Sequence, residues 1–191
     1  MTISVTGRHI NGEVVVLELE AAMDERGWLM EAYREDKFRE LGLPTAWAQE
    51  NHSSSQRGTV RGLHLQWDPP QAKLMRVTRG AAYVVAVDVR KGSPTLGQWH
   101  GVEMTAENRR MVYAPAGFAR GFCALTDDCE VQYKCTGLYN PKTEGRIHYA
   151  DAQIGIVWPV RLPLVSEKDA KAQTLKEWLE SPQSEFVKYG A

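Results

Sequence analysis

Residues 61–66 read RGLHLQ. Leucines alternate with polar residues here, the period of an extended chain whose side chains point to opposite faces. Leu63 and Leu65 share one face. Strict alternation does not let Arg61, His64 and Gln66 all share the other, so His64 faces with Gly62 and Gln66. A lone histidine in a strand is ordinarily a core residue satisfied by one hydrogen bond, and the surrounding chain decides whether this one is more.

Outward from that stretch, residues 57–131 read as strand after strand: VRGLHLQ, KLMRVTRG, AAYVVAVDVR, QWHGVEM, MVYAP and GFCAL, each closed by Gly, Pro, Asn or Asp. This spacing predicts a mainly β, antiparallel sandwich or barrel. VTRGAAY reads as a tight hairpin around Arg79 and Gly80, and KGSPTLG as a longer turn. Residues 14–19 form a further strand, followed by the turn MDERGW. A short helix is expected at 35–41, with Phe38 and Leu41 on one face before the break at Gly42 and Pro44. YNPKTEG is a loop. In SEKDAKAQTLKEWLE, Ser166 precedes Asp169 by three residues, a helix-start pattern, and Leu175, Trp178 and Leu179 share one face. The segment is expected to be one terminal helix docked on a β core.

The chain has 191 residues and no repeat, low-complexity tract or internal linker, which predicts a single domain over 1–191. Lys plus Arg (23) nearly cancels Asp plus Glu (24), so there is no broad basic field for nucleic acid or an anionic membrane. Cys123, Cys129 and Cys135 are odd in number and lack a CxxC pair, favouring apolar packing in a reducing compartment over a disulfide framework or zinc site. No signal-peptide-like run or membrane span is read. The expectation is a soluble cytoplasmic protein.

The motif pair GLHLQ…K and PAGFARGF resembles that of the cupin barrel. Metal-dependent cupins place histidines and a glutamate where this chain has His64, Gln66, Lys73 and Arg120. Only one of these four can bind a metal, and two are cations that repel one, so no metal site is expected. The set suits proton abstraction beside a carbonyl instead. That chemistry needs a base active near neutrality, a donor for the enolate oxygen and an acid to return the proton. His64 can be the base. Lys73, on the next strand and within reach if the two form a hairpin, can be the donor, and Tyr133 can be the acid.

At these residues the resemblance becomes specific. DERGWLMEAY, AQENHS, RGLHLQ, QAKLMRV, AVDVRKGSPTLGQW, PAGFARGF, YKCTGLYNP, IGIVWP and LVSEKD, in this order over about residues 12–169, resemble the dTDP-4-dehydrorhamnose 3,5-epimerase family. The resemblance implies an antiparallel cupin-type jelly-roll barrel with short N-terminal and C-terminal helices. It further implies a cytoplasmic homodimer without metal or redox cofactor, acting on a nucleotide-linked 4-keto-6-deoxy sugar. Carried over, the base falls on His64, its carboxylate partner on Asp169, the acid on Tyr133 and the keto-oxygen contact on Lys73. Substrate contacts fall on Arg26, Glu31, Gln49, Glu50, Asn51, Arg61, Tyr139, Glu144 and Lys168. Each also has an ordinary reading: Arg26 and Glu31 as a surface ion pair, Asn51 as a turn residue, Asp169 as an acid favoured in a first helical turn, and Tyr133 as an amphipathic core residue.

The chain departs from the family at Arg120, where GFARGF stands in place of a motif with histidine. An arginine suits bidentate contact with phosphate, so Arg120 is expected at the diphosphate or a sugar hydroxyl, and the exact sugar nucleotide is left open. The leading expectation is 3,5-epimerisation of dTDP-4-dehydro-6-deoxy-D-glucose to dTDP-4-dehydro-L-rhamnose. Alternatives are inversion at C3 or C5 alone, action on another 4-keto sugar nucleotide, and a non-catalytic cupin that binds sugar nucleotides.

Overall fold

The computed structural model describes residues 1–190. Its strands in chain order are β1 (Ile3–His9), β2 (Val14–Leu19), β3 (Ala21–Asp24), β4 (Gly27–Met30), β5 (Gln49–Ser55), β6 (Val60–Gln66), β7 (Lys73–Arg79), β8 (Ala81–Asp88), β9 (Trp99–Thr105), β10 (Arg110–Ala114), β11 (Phe118–Ala124), β12 (Cys129–Cys135) and β13 (Glu144–Arg146). Helix α1 (Glu35–Glu40) precedes β5, and α2 (Glu167–Ala170) and α3 (Leu175–Glu180) follow β13. A six-stranded antiparallel sheet in the order β1-β2-β10-β7-β12-β5 faces a five-stranded one in the order β13-β6-β11-β8-β9, and β3 and β4 form a separate hairpin. The jelly roll is therefore as expected, but its two sheets stay distinct and do not close into a continuous barrel.

Arg79 and Gly80 turn a corner between sheets and do not make the expected hairpin: β7 pairs with β10 and β12, β8 with β9 and β11. The reason is apolar. Met75 and Val77 of β7 and Ala82, Val84 and Ala86 of β8 bury their inner faces in the same core between the sheets, so the two strands stack rather than pair. His64 on β6 and Lys73 on β7 likewise stand on opposite sheets, not on adjacent strands of one hairpin.

Unbroken apolar runs mark strands covered on both sides. In β2, Val14 and Val16 face the inter-sheet core, while Val15 and Leu17 pack with the fully buried Phe38 of α1 on the outer face. In β8, Val85 and Val87 face outward onto Leu175 and Trp178 of α3. The terminal segment is two helices, not one. Ser166 caps α2 by accepting from the Asp169 backbone N–H at 3.1 Å. The chain then breaks, and Thr174 and Glu177 build a complete capping box that starts α3 afresh. Trp178 is fully buried and donates its indole N–H to the Val89 carbonyl at 2.9 Å.

The pairing of β6 with β11 sets the site. Arg120 lies opposite His64 and Phe122 opposite Arg61, so three steps along β6 match two along β11. This extra residue is a β-bulge, and it overturns strict alternation: Arg61 and His64 both line the cavity between the sheets. Gly62 makes the bulge possible. Its φ is +116°, and a Cβ there would lie 2.7 Å from both the Arg120 carbonyl oxygen and the Gly121 Cα. We expect Gly62→Ala to lower stability by at least about 2 kcal/mol, since backbone atoms would have to retreat from a residue held at positive φ. Urea unfolding checks this, and a midpoint equal to that of the wild type would contradict the account of the bulge.

Candidate active site

A cavity of about 370 Å³ opens between the two sheets. One wall comes from β6, β11 and β13 and carries Arg61, His64, Arg120 and Glu144; the facing wall comes from β5, β7 and β12 and carries Asn51, Lys73 and Tyr133. The structure thus brings His64, Lys73 and Tyr133 into one space from opposite sheets.

His64 is held by Asp169, with Nε2 2.7 Å from Oδ1. A carboxylate can only accept, so Nε2 carries the hydrogen and the neutral ring keeps its lone pair on Nδ1. Asp169 is buried with 6% of its side chain exposed. Burial acts to raise its pKa, but hydrogen bonding and charge from His64, then hydrogen bonds from Ser166 and the Gly62 N–H, outweigh burial and leave the carboxyl below its ordinary value. The bulge that turns His64 inward also aims the Gly62 N–H toward Asp169 Oδ2, at 3.5 Å.

On the facing wall, Tyr133 stands directly across from Asn51 in the β5–β12 ladder. Burial raises the phenol above its ordinary value despite a hydrogen bond with Asn51, so Tyr133 stays protonated at neutral pH. Lys73 Nζ lies 5.0 Å from the centroid of the Tyr133 ring. Burial, and after it the charge of Arg120, push Lys73 down to about 8.

Arg120 is 3% exposed, neither a surface charge nor a free phosphate clamp. Its guanidinium donates to the Pro115 carbonyl at 2.9 Å and to the Gln71 carbonyl at 2.8 Å, while Nε is buried without a partner. Among the described residues neither Lys73 nor Arg120 has a carboxylate ion-pair partner, so the cavity floor carries two fixed cations.

Of the other residues carried over, Gln49 donates to Asn51 Oδ1 at 2.9 Å and accepts from the Tyr139 N–H at 2.7 Å, which ties the 139–143 loop to the cavity rim. Tyr139 donates to Glu144 at 3.4 Å, and both line the cavity. Arg61 donates to Ser55 Oγ and the Ser54 carbonyl. Glu50, one residue from Gln49 and Asn51 on β5, lines a cleft on the other face of the six-stranded sheet and pairs with Lys134 at 2.9 Å. Lys168 lines a separate surface cleft beside α2. Arg26 sits at the β3–β4 turn, 85% exposed and paired with Asp24, and Glu31 pairs with Arg34. Neither reaches this chain's own cavity.

Sequence reading did not single out Gln71 or Arg146. Gln71 donates to the Gly137 carbonyl at 2.8 Å while its own carbonyl holds Arg120. Arg146 sits opposite His64 on β13, a three-residue strand too short to show a period. Gln66, which shares a face with His64 and stands at a position comparable to a metal ligand of other cupins, donates to the Pro69 and Leu138 carbonyls and accepts from the Asn140 N–H, so it pins the loop over the cavity. Among the described residues no group of three or more His, Cys, Asp or Glu side chains is placed to hold a metal ion.

Residues 9–177 match the family model described as dTDP-4-dehydrorhamnose 3,5-epimerase. An enzyme of that name from Methanothermobacter thermautotrophicus is 48% identical over 166 residues, covering 85% of this chain and 90% of the relative. A dTDP-4-dehydrorhamnose 3-epimerase from Streptomyces niveus is 42% identical over 160 residues, covering 83% and 77%. The crystal structure of dTDP-6-deoxy-D-glucose-3,5-epimerase from Legionella pneumophila, in complex with dTDP-4-keto-L-rhamnose, superposes with a TM-score of 0.92 at 39% identity and full coverage of both chains.

The cation pair on the cavity floor is directly measurable. NMR of the labelled lysine side chain should show Lys73 titrating near 8 instead of 10.5, and Arg120→Met should move that midpoint upward. A wild-type midpoint at 10.5 would contradict the placement of Lys73 in a dry site beside Arg120.

Proposed function

The chain belongs to the dTDP-4-dehydrorhamnose 3,5-epimerase family, and from that premise we propose that it is an isomerase converting dTDP-4-dehydro-6-deoxy-D-glucose to dTDP-4-dehydro-L-rhamnose by proton transfer at C3 and C5. The observation that carries the mechanism is the His64–Asp169 pair on one wall with Tyr133 on the other and Lys73 beside the phenol.

The C4 keto group acidifies the hydrogens on C3 and C5, because the electron pair left at either carbon delocalises onto O4. His64 takes the proton through Nδ1, and Asp169 holds the ring and stabilises the imidazolium that forms. Lys73 stabilises the enolate oxygen, with Arg120 as a second fixed cation behind it. Such groups count for more in a dry site than in water, because their orientation costs nothing during the reaction. Tyr133 returns a proton from the opposite face of the ring, which inverts the carbon, and solvent resets both groups. A second round at the other carbon completes the change from a D-sugar to an L-sugar.

Gln49, Asn51, Arg61, Tyr139 and Glu144, which line the same cavity, contact the substrate. The working unit is a homodimer in a cytoplasmic setting, and each chain is one domain. Self-association through the β3–β4 hairpin gives a purpose to its exposed Met23, Trp28 and Leu29, and it would carry Arg26 and Glu31 to the cavity of the other copy. Among the described residues no helix is long and apolar enough to cross a membrane. The second reading is inversion at C3 alone, favoured by the similarity to the Streptomyces niveus 3-epimerase.

In deuterated water, His64→Ala should lose both deuterium uptake and epimerisation by at least about 100-fold, the lower range for general base catalysis. Tyr133→Phe should lose epimerisation far more than uptake, since His64 can still remove a proton and return deuterium to the same face. Uptake by His64→Ala at the wild-type rate would overturn the base. Equal loss of both activities in Tyr133→Phe would overturn the acid.

A further inference from the structure

His64 stands in a cross-strand row between two arginines, with Arg120 opposite it on β11 and Arg146 opposite it on β13. The two have different company. Arg120 sends its guanidinium inward to backbone carbonyls, whereas Arg146 turns to the back of the His64–Asp169 pair. Arg146 Nε lies 3.5 Å from Asp169 Oδ1, the same oxygen that holds His64 Nε2 at 2.7 Å. That Nε is buried and forms no hydrogen bond, so its charge faces the carboxylate at contact distance without capturing it. The terminal nitrogen Nη2 is fixed by Glu144, which itself lines the cavity.

From this geometry we infer that Arg146 is a positioning residue that shares the Asp169 carboxylate with His64 and thereby sets the lower pH limit at which His64 acts as the base. The inference rests on the reading of His64 as the base. Its physical content is simple. A carboxylate alone beside an imidazole stabilises the protonated ring, and a protonated ring cannot accept a proton from substrate. A cation on the same oxygen opposes that effect while leaving the orienting hydrogen bond in place.

Other charges face His64 as well, and each has a different distance or commitment. Asp169 approaches from α2, Arg61 shares its strand, and Glu144 pairs with Arg146. Across the cavity stand Lys73 on β7 and the neutral phenol of Tyr133 on β12, with Arg120 turned toward Lys73. Among these, Arg146 and His64 both contact one carboxylate oxygen, which places their nitrogens within about 6 Å of each other. At that separation, with an effective dielectric between those of a protein surface and water, one unit charge shifts a neighbour's titration by about half to one pH unit.

The test is Arg146→Met, with Arg146→Lys as the variant that keeps the charge. The Arg146 side chain is 28% exposed at the end of a short strand, so both variants should fold, and thermal unfolding verifies this. Two readouts are taken on the full chain: NMR titration of the His64 ring without ligand, and the acid limb of kcat/KM against pH. In Arg146→Met both should move to higher pH by about half to one unit, because removing a cation favours the imidazolium. Arg146→Lys should leave both near the wild-type position. An unmoved His64 titration in a folded Arg146→Met would overturn the inference. A shifted titration with an unmoved acid limb would support the charge coupling and overturn His64 as the base.

Discussion

The close approach of β6 to β11 at Gly62 is the constraint on which the site depends. Gly62 and Gly121 pass where no side chain fits: a Cβ on Gly121 would come 2.7 Å from the Arg61 carbonyl oxygen, just as one on Gly62 would meet the Arg120 carbonyl. Three consequences share this origin. Arg61 and His64 both turn into the cavity, Leu63 turns outward into the cluster around Trp178, and the Gly62 N–H points at Asp169. Helix α2 brings its carboxylate to His64 because that wall of the sheet is shaped to receive it.

Charge in the cavity is arranged for a transition state. Arg120 is buried and Lys73 half-buried beside it, and among the described residues neither is ion-paired to a carboxylate, an arrangement that costs folding free energy and depresses Lys73. An oxyanion that forms during reaction relieves that cost at the moment it appears. The negative charge of the site is instead kept behind His64, on Asp169, where it orients the base. Arg146 and the cavity-facing Glu144 complete the balance on that wall.

The outline of the fold was legible because covered strands write themselves as apolar runs. Residues 14–19 and 81–88 appear as such runs, and Phe38 marks the helix that covers one sheet. Which strand pairs with which was not legible at Arg79 and Gly80. A glycine corner between two sheets carries the same local signal as a hairpin, and only the shared core distinguishes them. The terminal segment reads as one helix because the start signal at Ser166 and Asp169 and the apolar face of Leu175, Trp178 and Leu179 stand in one run without Gly or Pro, although the capping pattern of Thr174 and Glu177 was present in the sequence. The meeting of His64 with Asp169 spans 105 residues and came from family resemblance, not spacing. Arg61 was placed off the His64 face because a bulge leaves no periodic trace, and Arg120 was expected at the diphosphate or a sugar hydroxyl because the backbone carbonyls of Pro115 and Gln71 that hold it carry no side-chain signal in the sequence.

The central claim is that one cavity with a base on one wall and an acid on the other inverts two carbons beside a single keto group. It is tested most directly by incubating the wild-type protein with dTDP-4-dehydro-6-deoxy-D-glucose in deuterated water and following the sugar by proton NMR. The account predicts deuterium at both C3 and C5, with conversion to the L-rhamno product and no requirement for added metal. Deuterium at C3 alone would contradict the two-carbon claim, and no exchange at either carbon would contradict the site.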